Sequence, residues 1–338
     1  MAHVTTRAMD LRTAAPFGIS RSTHSEFARF VVELREGGLV GLGEGAPNAR
    51  YGESREHDMD LLNDWAPEIA DLEGPAAVES YCGSLAGAGL PALRSGLSAA
   101  AWDLAGKQAG EPVWRMLGLA RPAVRTSFTI AIGAPGEMLA LARDASAFGT
   151  LKVKLGFDGD LEVARRLKRE LPDVTFRYDA NEGWDRERAA TALAVLEDLD
   201  GELVEQPLPA GDTEGMRWLK ERTPIPLLAD EAVLSLGDLD AVDEAYDGVV
   251  VKLAKAGGVA AAFALISACT QRGLRVLLGC MVESSLGIAA ALQLAGLADW
   301  VDLDGALLLE DDPFTGVRVD GDVLTASDAP GLGVRSVR

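Results

Sequence analysis

LKVKLGFDGDLEVARRLKRELPDVTFRYDANEGWDRERAATALAVLEDLDGELVEQPLP, residues 151–209, reads as strand, helix, strand, helix, strand. Each short apolar run (LKVK, VTFRY, ELV) closes on a charged residue, Lys154, Asp179 or Glu205. Between the runs lie amphipathic segments, DLEVARRLKREL and RERAATALAVLEDL. Apolar runs of strand length alternating with segments of helical period are the pattern of a parallel sheet.

Downstream the unit repeats, with Asp230 after IPLLA, Lys252 after GVVV, Cys280 after RVLLG and Asp302 after WV. The separations from Lys154 onward are 25, 26, 25, 22, 28 and 22 residues, enough for one strand, one helix and two short loops. With an initial strand near Arg125 to Ala131 the strands number eight, and they close most economically into a (β/α)8-type, modified TIM barrel whose active site lies at the C-terminal strand ends. The barrel is expected over residues 119–308, with residues 1–118 as an α+β capping domain. In that cap EFARFVVELREGGLVGLGEG (26–45) reads as a hairpin turning at Gly37-Gly38, followed by a helical stretch through about Lys107. The tail, residues 309–338, carries an alternating GVRVDGDVL that is expected to return to the cap as a strand.

Acids outnumber bases 52 to 32, a net charge of −20, which argues against a nucleic-acid partner. No uncharged stretch of about 18 apolar residues and no signal-like N-terminal run occurs, so a cytoplasmic protein with no membrane partner is expected. Cys82, Cys269 and Cys280 are odd in number and widely spaced, and read as reduced thiols rather than a disulfide or zinc framework. His3, His24 and His57 all lie in the first sixth of the chain, which leaves acid and base chemistry beyond them to lysine and carboxylate.

Asp179, Glu205 and Asp230, from three successive strand ends, would meet in one mouth. Each alone reads equally as a helix cap or a solvated loop acid, but three carboxylates together repel unless a divalent cation binds them, and an all-oxygen set favours magnesium or manganese over zinc. Lys152 and Lys154 alternate with Leu151, Val153 and Leu155, so both amines share one strand face, where each is expected to lower the other's proton affinity. Lys252 falls across the barrel from Lys154. Two lysines facing each other over a metal suit removal of a proton next to a carboxylate from one face and its return to the other.

These motifs, KVK (152–154), DAN (179–181), VEQPLP (204–209), ADE (229–231), VKLAKAGG (251–258) and DLDG (302–305), resemble the muconate-lactonising subgroup of the enolase superfamily, and within it the dipeptide epimerases of the L-Ala-D/L-Glu kind. The resemblance covers nearly the whole chain. It implies Asp179, Glu205 and Asp230 as ligands of one Mg2+ per subunit (Mn2+ as the alternative), Lys154 and Lys252 as the acid/base pair, and Lys152 as an aid to the bound carboxylate that also tunes Lys154. The implied reaction is inversion of the C-terminal residue's α-carbon in a dipeptide by proton transfer through a metal-stabilised enolate, in the recycling of cell-wall peptides.

Asp302 and Asp304 alternate across Leu303 and would clamp a free ammonium group, as the matching DxD motif is understood to do in the resembling enzymes. By the same resemblance PFGISRSTHSE (16–26) is a flexible loop closing over the substrate side chain, with Arg21 facing a glutamate carboxylate; His24, Arg50 and Tyr51 are alternatives for that task. Thr129, Cys280, Met281 and Val282 match positions lining the substrate backbone. The subgroup also holds o-succinylbenzoate synthases, N-acylamino-acid racemases and muconate cycloisomerases, whose substrates offer the acid pair no free ammonium, and a non-catalytic metal- or peptide-binding relative stands as the reading from another class. Members of the subgroup also form homo-oligomers.

Overall fold

The computed structural model describes residues 3–337. It opens with an antiparallel sheet of β1 (His3–Ile19), β2 (Ser22–Glu36) and β3 (Leu39–Gly45), whose second turn is the expected Gly37-Gly38 pair at φ 60° and 81°. The segment expected as a flexible loop is different. β1 and β2 continue to Ile19 and Ser22, so residues 16–26 form the tip of a hairpin turning at Ser20-Arg21. A break in register between Arg12 and Phe17 disguises the strand in the sequence.

Four helices complete this N-terminal layer: α1 (Arg55–Asp64), α2 (Ala66–Ala70), α3 (Gly74–Ser84) and α4 (Pro91–Ala109). Their apolar faces meet Phe30, Val32 and Leu34 of β2 through Leu62, Leu93 and Leu97. α4 lies so close on β3 that a Cβ at Gly43 would come within 2.0 Å of the Gly96 carbonyl oxygen, and Gly110 in the left-handed region (φ 71°) ends the helix.

Asp58 of α1 is fully buried and neither of its carboxylate oxygens has a hydrogen-bond partner. Burial first, then neighbouring Glu53, pushes its carboxyl up to about 7. An unfolded aspartate ionises near 3.9. Between roughly these two values the folded chain therefore holds a proton the unfolded chain has lost, and stability falls as pH rises. The stability gained by Asp58→Asn is expected to grow with pH across this window, by about 2–3 kcal/mol between pH 5 and pH 8, read as a rise in Tm. An equal change at both pH values would contradict this.

After β4 (Ala123–Arg125), eight parallel strands follow in spatial and sequential order: β5 (Phe128–Ile130), β6 (Thr150–Lys154), β7 (Thr175–Asp179), β8 (Leu203–Glu205), β9 (Leu227–Ala229), β10 (Gly248–Val251), β11 (Arg275–Gly279) and β12 (Trp300–Asp302). β5 and β12 meet through Ser127 N–H to the Val301 carbonyl (3.3 Å) and Leu303 N–H to Thr126 Oγ1 (2.8 Å), which brings the sheet round into a near-closed barrel. Leu203, Leu228, Val250 and Leu277 pack together with Trp300. Two residues beyond each stand Glu205, Asp230, Lys252, Gly279 and Asp302. Because side chains alternate faces with period two, this apolar layer and the charged one above it are set on the same inward face.

The tail reaches the N-terminal layer through Leu309, which bridges Thr13, and Gly331, which bridges Pro112, but its alternating segment pairs elsewhere. Arg318–Asp320 and Val323–Thr325 form a hairpin, but it pairs antiparallel with β4 at the entrance to the barrel, not with the β1–β3 sheet. Alternation specifies a strand; it does not specify its partner.

Candidate active site

The C-terminal strand ends open into a cavity of about 470 Å³, roofed by the β1–β2 tip and residues 47–56. A groove of about 940 Å³ between β1 and the tail is larger but contains none of the strand-end residues.

Strand register sets Lys154 beside Asp179 and Asp179 beside Glu205. Asp179, Glu205 and Asp230 are buried, with one oxygen from each lying within 4.8 Å of the others. Such a set fits a hard divalent cation. Asn181 Oδ1 and Glu231 Oε2 nearby are buried without hydrogen bonds, a further sign that this pole is built for a positive ligand. The loops carrying these groups are conformationally strained: Asn181, Glu182 and Gln206 all have positive φ (44°, 65° and 35°). Gln206 ties two of them together by accepting from the backbone N–H of Asp230 (3.0 Å) and Ala232 (3.2 Å).

Lysines surround the triad. Lys154 Nζ donates to Asp179 Oδ2 (2.6 Å) and Lys252 Nζ to Asp230 Oδ2 (2.8 Å), from strands on opposite sides of the barrel. Lys152 Nζ lies 2.9 Å from Glu205, 2.8 Å from Asp302 and 3.3 Å from Asp179. For Lys152 the expected lowering of proton affinity is not what the geometry gives. Burial acts in that direction, but Asp302, Glu205 and Asp179 outweigh it and hold the Lys152 ammonium well above its ordinary range; Asp230 does the same for Lys252. In return, against burial, Lys252 and Lys255 hold Asp230 well below the usual carboxylate range, and Lys154 and Lys152 lower Asp179. Glu205 is pushed up to about 7 by burial, with Lys152 opposing and Asp179 and Asp302 adding to it.

Asp302 and Asp304 both line the cavity but are not equivalent. Asp302 is engaged by Lys152 and by Ser127 Oγ (2.6 Å). Asp304 accepts from the Thr129 N–H (2.6 Å), and burial followed by the neighbouring Asp302 charge pushes its carboxyl up to about 7. A cationic group entering here would meet Asp304 as the less engaged acid. Cys280 lies against this corner, its thiol donating to the Asp302 carbonyl (3.4 Å) and held neutral by burial and then by Asp304 and Glu283. Met281 and Val282 line the adjoining wall, and the Val282 carbonyl accepts from Arg29 Nε (2.8 Å).

Arg21 reaches the cavity, but its guanidinium is already committed to Glu231 (2.8 Å), Glu182 (3.0 Å) and the Asn181 carbonyl. Arg50 also pairs with Glu182 (2.6 Å). Two arginines from the N-terminal layer thus converge on one barrel carboxylate and fasten the roof. In this structure Arg21 acts as a strut between the roof and the barrel loops. His24 and Tyr51 line the cavity, with the His24 ring edge-on to Phe27.

Sequence reasoning missed Lys255, Glu231, Glu182 and Arg29. Glu231 and Lys255 stood inside the quoted ADE and VKLAKAGG motifs, and the three-residue spacing of Lys252 and Lys255 was the signal available for the latter. Nothing local marks Glu182 or Arg29, whose partners lie far away in sequence.

Residues 1–118 match the mandelate racemase / muconate lactonizing enzyme N-terminal domain and residues 137–337 the enolase C-terminal domain-like family. An L-Ala-D/L-amino acid epimerase of Pedosphaera parvula is 35% identical, covering 90% of each chain. The substrate-liganded L-Ala-D/L-Glu epimerase from Bacillus subtilis superposes with a TM-score of 0.93 at 28% identity over 98% of both chains. A dipeptide epimerase from Enterococcus faecalis, complexed with Mg and L-Leu-L-Tyr, gives 0.93 at 30% identity, again over 98% of both. With matching family domains spanning nearly all of it and the carboxylates and lysines gathered at one barrel mouth, the chain belongs to the mandelate racemase / muconate lactonizing enzyme family of the enolase superfamily.

Proposed function

We propose that this chain is a cytoplasmic, magnesium-dependent dipeptide epimerase of the L-Ala-D/L-Glu kind, inverting the α-carbon of the second residue. The observation that carries the reading is the placement of Lys154 and Lys252 on opposite sides of a three-carboxylate cluster. Asp179, Glu205 and Asp230 would hold the cation, which when bound supplies the positive charge that makes the proton next to a carboxylate acidic enough to remove. Lys154 and Lys252 take that proton from one face and return one to the other. Lys152 counters the negative charge of the substrate carboxylate, and Asp304 with Asp302 receives the free ammonium at the far end. The fastened roof over these groups excludes water.

Proton NMR of L-Ala-L-Glu in deuterium oxide with Mg2+ tests this, beside its N-acetylated form. Loss of the second residue's α-proton signal and appearance of the diastereomer, from the free dipeptide alone, is the expected result. Turnover of the N-acetyl compound alone would support an acylamino-acid racemase instead, and silence across a broad dipeptide set would sink the reading.

The roof supplies a further expected outcome. Glu182→Gln keeps the side chain's size but removes the charge shared by two arginines. At about 0.7 kcal/mol for each partly exposed pair, KM for the dipeptide is expected to rise roughly tenfold, with kcat changed far less. Steady-state kinetics check this; an unchanged KM would show that the roof does not depend on the clasp.

A further inference from the structure

The geometry points to Lys255 as a positioning residue that fixes Asp230 and thereby frees Lys252 for the substrate, an inference resting on the metal-dependent proton transfer argued above. Lys255 is 3% exposed and is absent from the cavity wall that Lys152, Lys154 and Lys252 help to form. Its ammonium has three protons and three acceptors: Asp230 Oδ1 (2.6 Å), the Asp230 carbonyl and the Val233 carbonyl (3.1 Å). None is left for a substrate. Lys255 acts on one residue and on the loop that follows it.

The consequence lies in how the two Asp230 oxygens are divided. Oδ1 belongs to Lys255, and Oδ2 is the one that Lys252, a cavity-lining residue, touches at 2.8 Å. Asp230, among the residues that would hold the cation, would then have one oxygen free of Lys255 to share between the cation and Lys252, while Lys255 keeps the carboxylate from rotating. Without Lys255, both Asp230 oxygens would look to Lys252, and the amine that the reaction needs would be held as a structural counterion.

Local structure supports this division. Lys252 precedes a single helical turn, Leu253–Ala256, so residues 252 and 255 lie on one side of it, the first ahead of the turn and the second within it. Gly257 in the left-handed region (φ 93°) stops the turn, and Arg94 of α4 donates to the Ala256 carbonyl (3.1 Å) to brace it from the N-terminal layer. The charges also match: Lys152, Lys154, Lys252 and Lys255 face Asp179, Glu205, Asp230 and Asp302.

Mn2+ binding followed by electron paramagnetic resonance, with α-proton wash-out from each dipeptide epimer at saturating Mn2+, tests the assignment in the full-length protein. Lys255→Met is expected to weaken Mn2+ binding by about ten- to a hundred-fold. It should also slow wash-out chiefly from the epimer that Lys252→Met fails to exchange, an asymmetry that general loosening of the fold would not produce. Lys255→Arg, which keeps charge and donors, is expected to recover most of the affinity. Should Lys255→Met fail to fold, Lys255→Gln is judged by the same two measurements. Wild-type Mn2+ affinity in the uncharged variant, or equal loss of wash-out from both epimers, overturns the inference. If instead Asp179→Asn binds Mn2+ as tightly as wild type, the metal-centred reading itself fails, and the role of Lys255 with it.

Discussion

Lys252→Met and Lys154→Met are each expected to abolish net epimerisation, lowering the rate by about 10³-fold or more, yet each should continue to wash the α-proton out of one epimer. The reason is geometric. The two amines come from strands on opposite sides of the barrel and contact different carboxylates, Asp230 and Asp179, so each addresses one face of a carbon held between them. Removing one base leaves the other able to take a proton and give back deuterium on its own face, with retention. The paired variants should therefore show complementary behaviour: the epimer exchanged by Lys252→Met is the one left untouched by Lys154→Met. Methionine approximates the length of the lysine stem, so the surrounding packing is largely kept. Substantial inversion by either variant, or loss of exchange from both epimers in both, would contradict a division of labour between the two faces.

Chelation of the divalent cation is expected to remove activity by at least about 10³-fold, with recovery on adding Mg2+ or Mn2+. It should also be visible without any substrate. A cation bound only by the folded chain stabilises it by about 2.7 kcal/mol at a hundred times its Kd, so Tm should rise with Mg2+ and fall back with chelator. The pH dependence has a definite sign. The Glu205 carboxyl, pushed up to about 7 by burial and then by Asp179 and Asp302 against the pull of Lys152, must lose its proton to serve as a ligand. Below that value each pH unit should weaken Mg2+ binding by about tenfold, and above it affinity should level off. Calorimetric titration from pH 5.5 to 8.5 checks this, and a Kd independent of pH would contradict the raised Glu205 carboxyl. Glu205→Gln should bind the cation poorly throughout and lose the pH dependence.

The sequence by itself determined the barrel and its chemistry to a considerable depth. A spacing of 22 to 28 residues between strand ends dictates eight parallel strands. Period-two alternation then places Glu205 above Leu203 and Lys252 above Val250, facing inward. Both are local properties, carried by residues that are neighbours in the chain, and that is why they are legible without coordinates. The acid pair Asp302 and Asp304 was legible for the same reason, although its inequivalence was not: Lys152, which holds Asp302 charged, and Thr129, which donates to Asp304, approach from strands about 150 and 175 residues away.

What only the tertiary structure decided are the partnerships formed across the fold. Arg21 serves as a strut because Glu182 and Glu231 arrive from two barrel loops, 161 and 210 residues along the chain. The tail's alternating strand found β4 because the barrel entrance offered an unpaired edge there, a fact that alternation cannot encode. Lys255 looked like one more lysine in a motif until a single helical turn, stopped by Gly257 and braced by Arg94, aimed it at the back of Asp230. Periodicity fixes which way a side chain faces; which charge it meets there depends on loops whose positions are set by long-range packing.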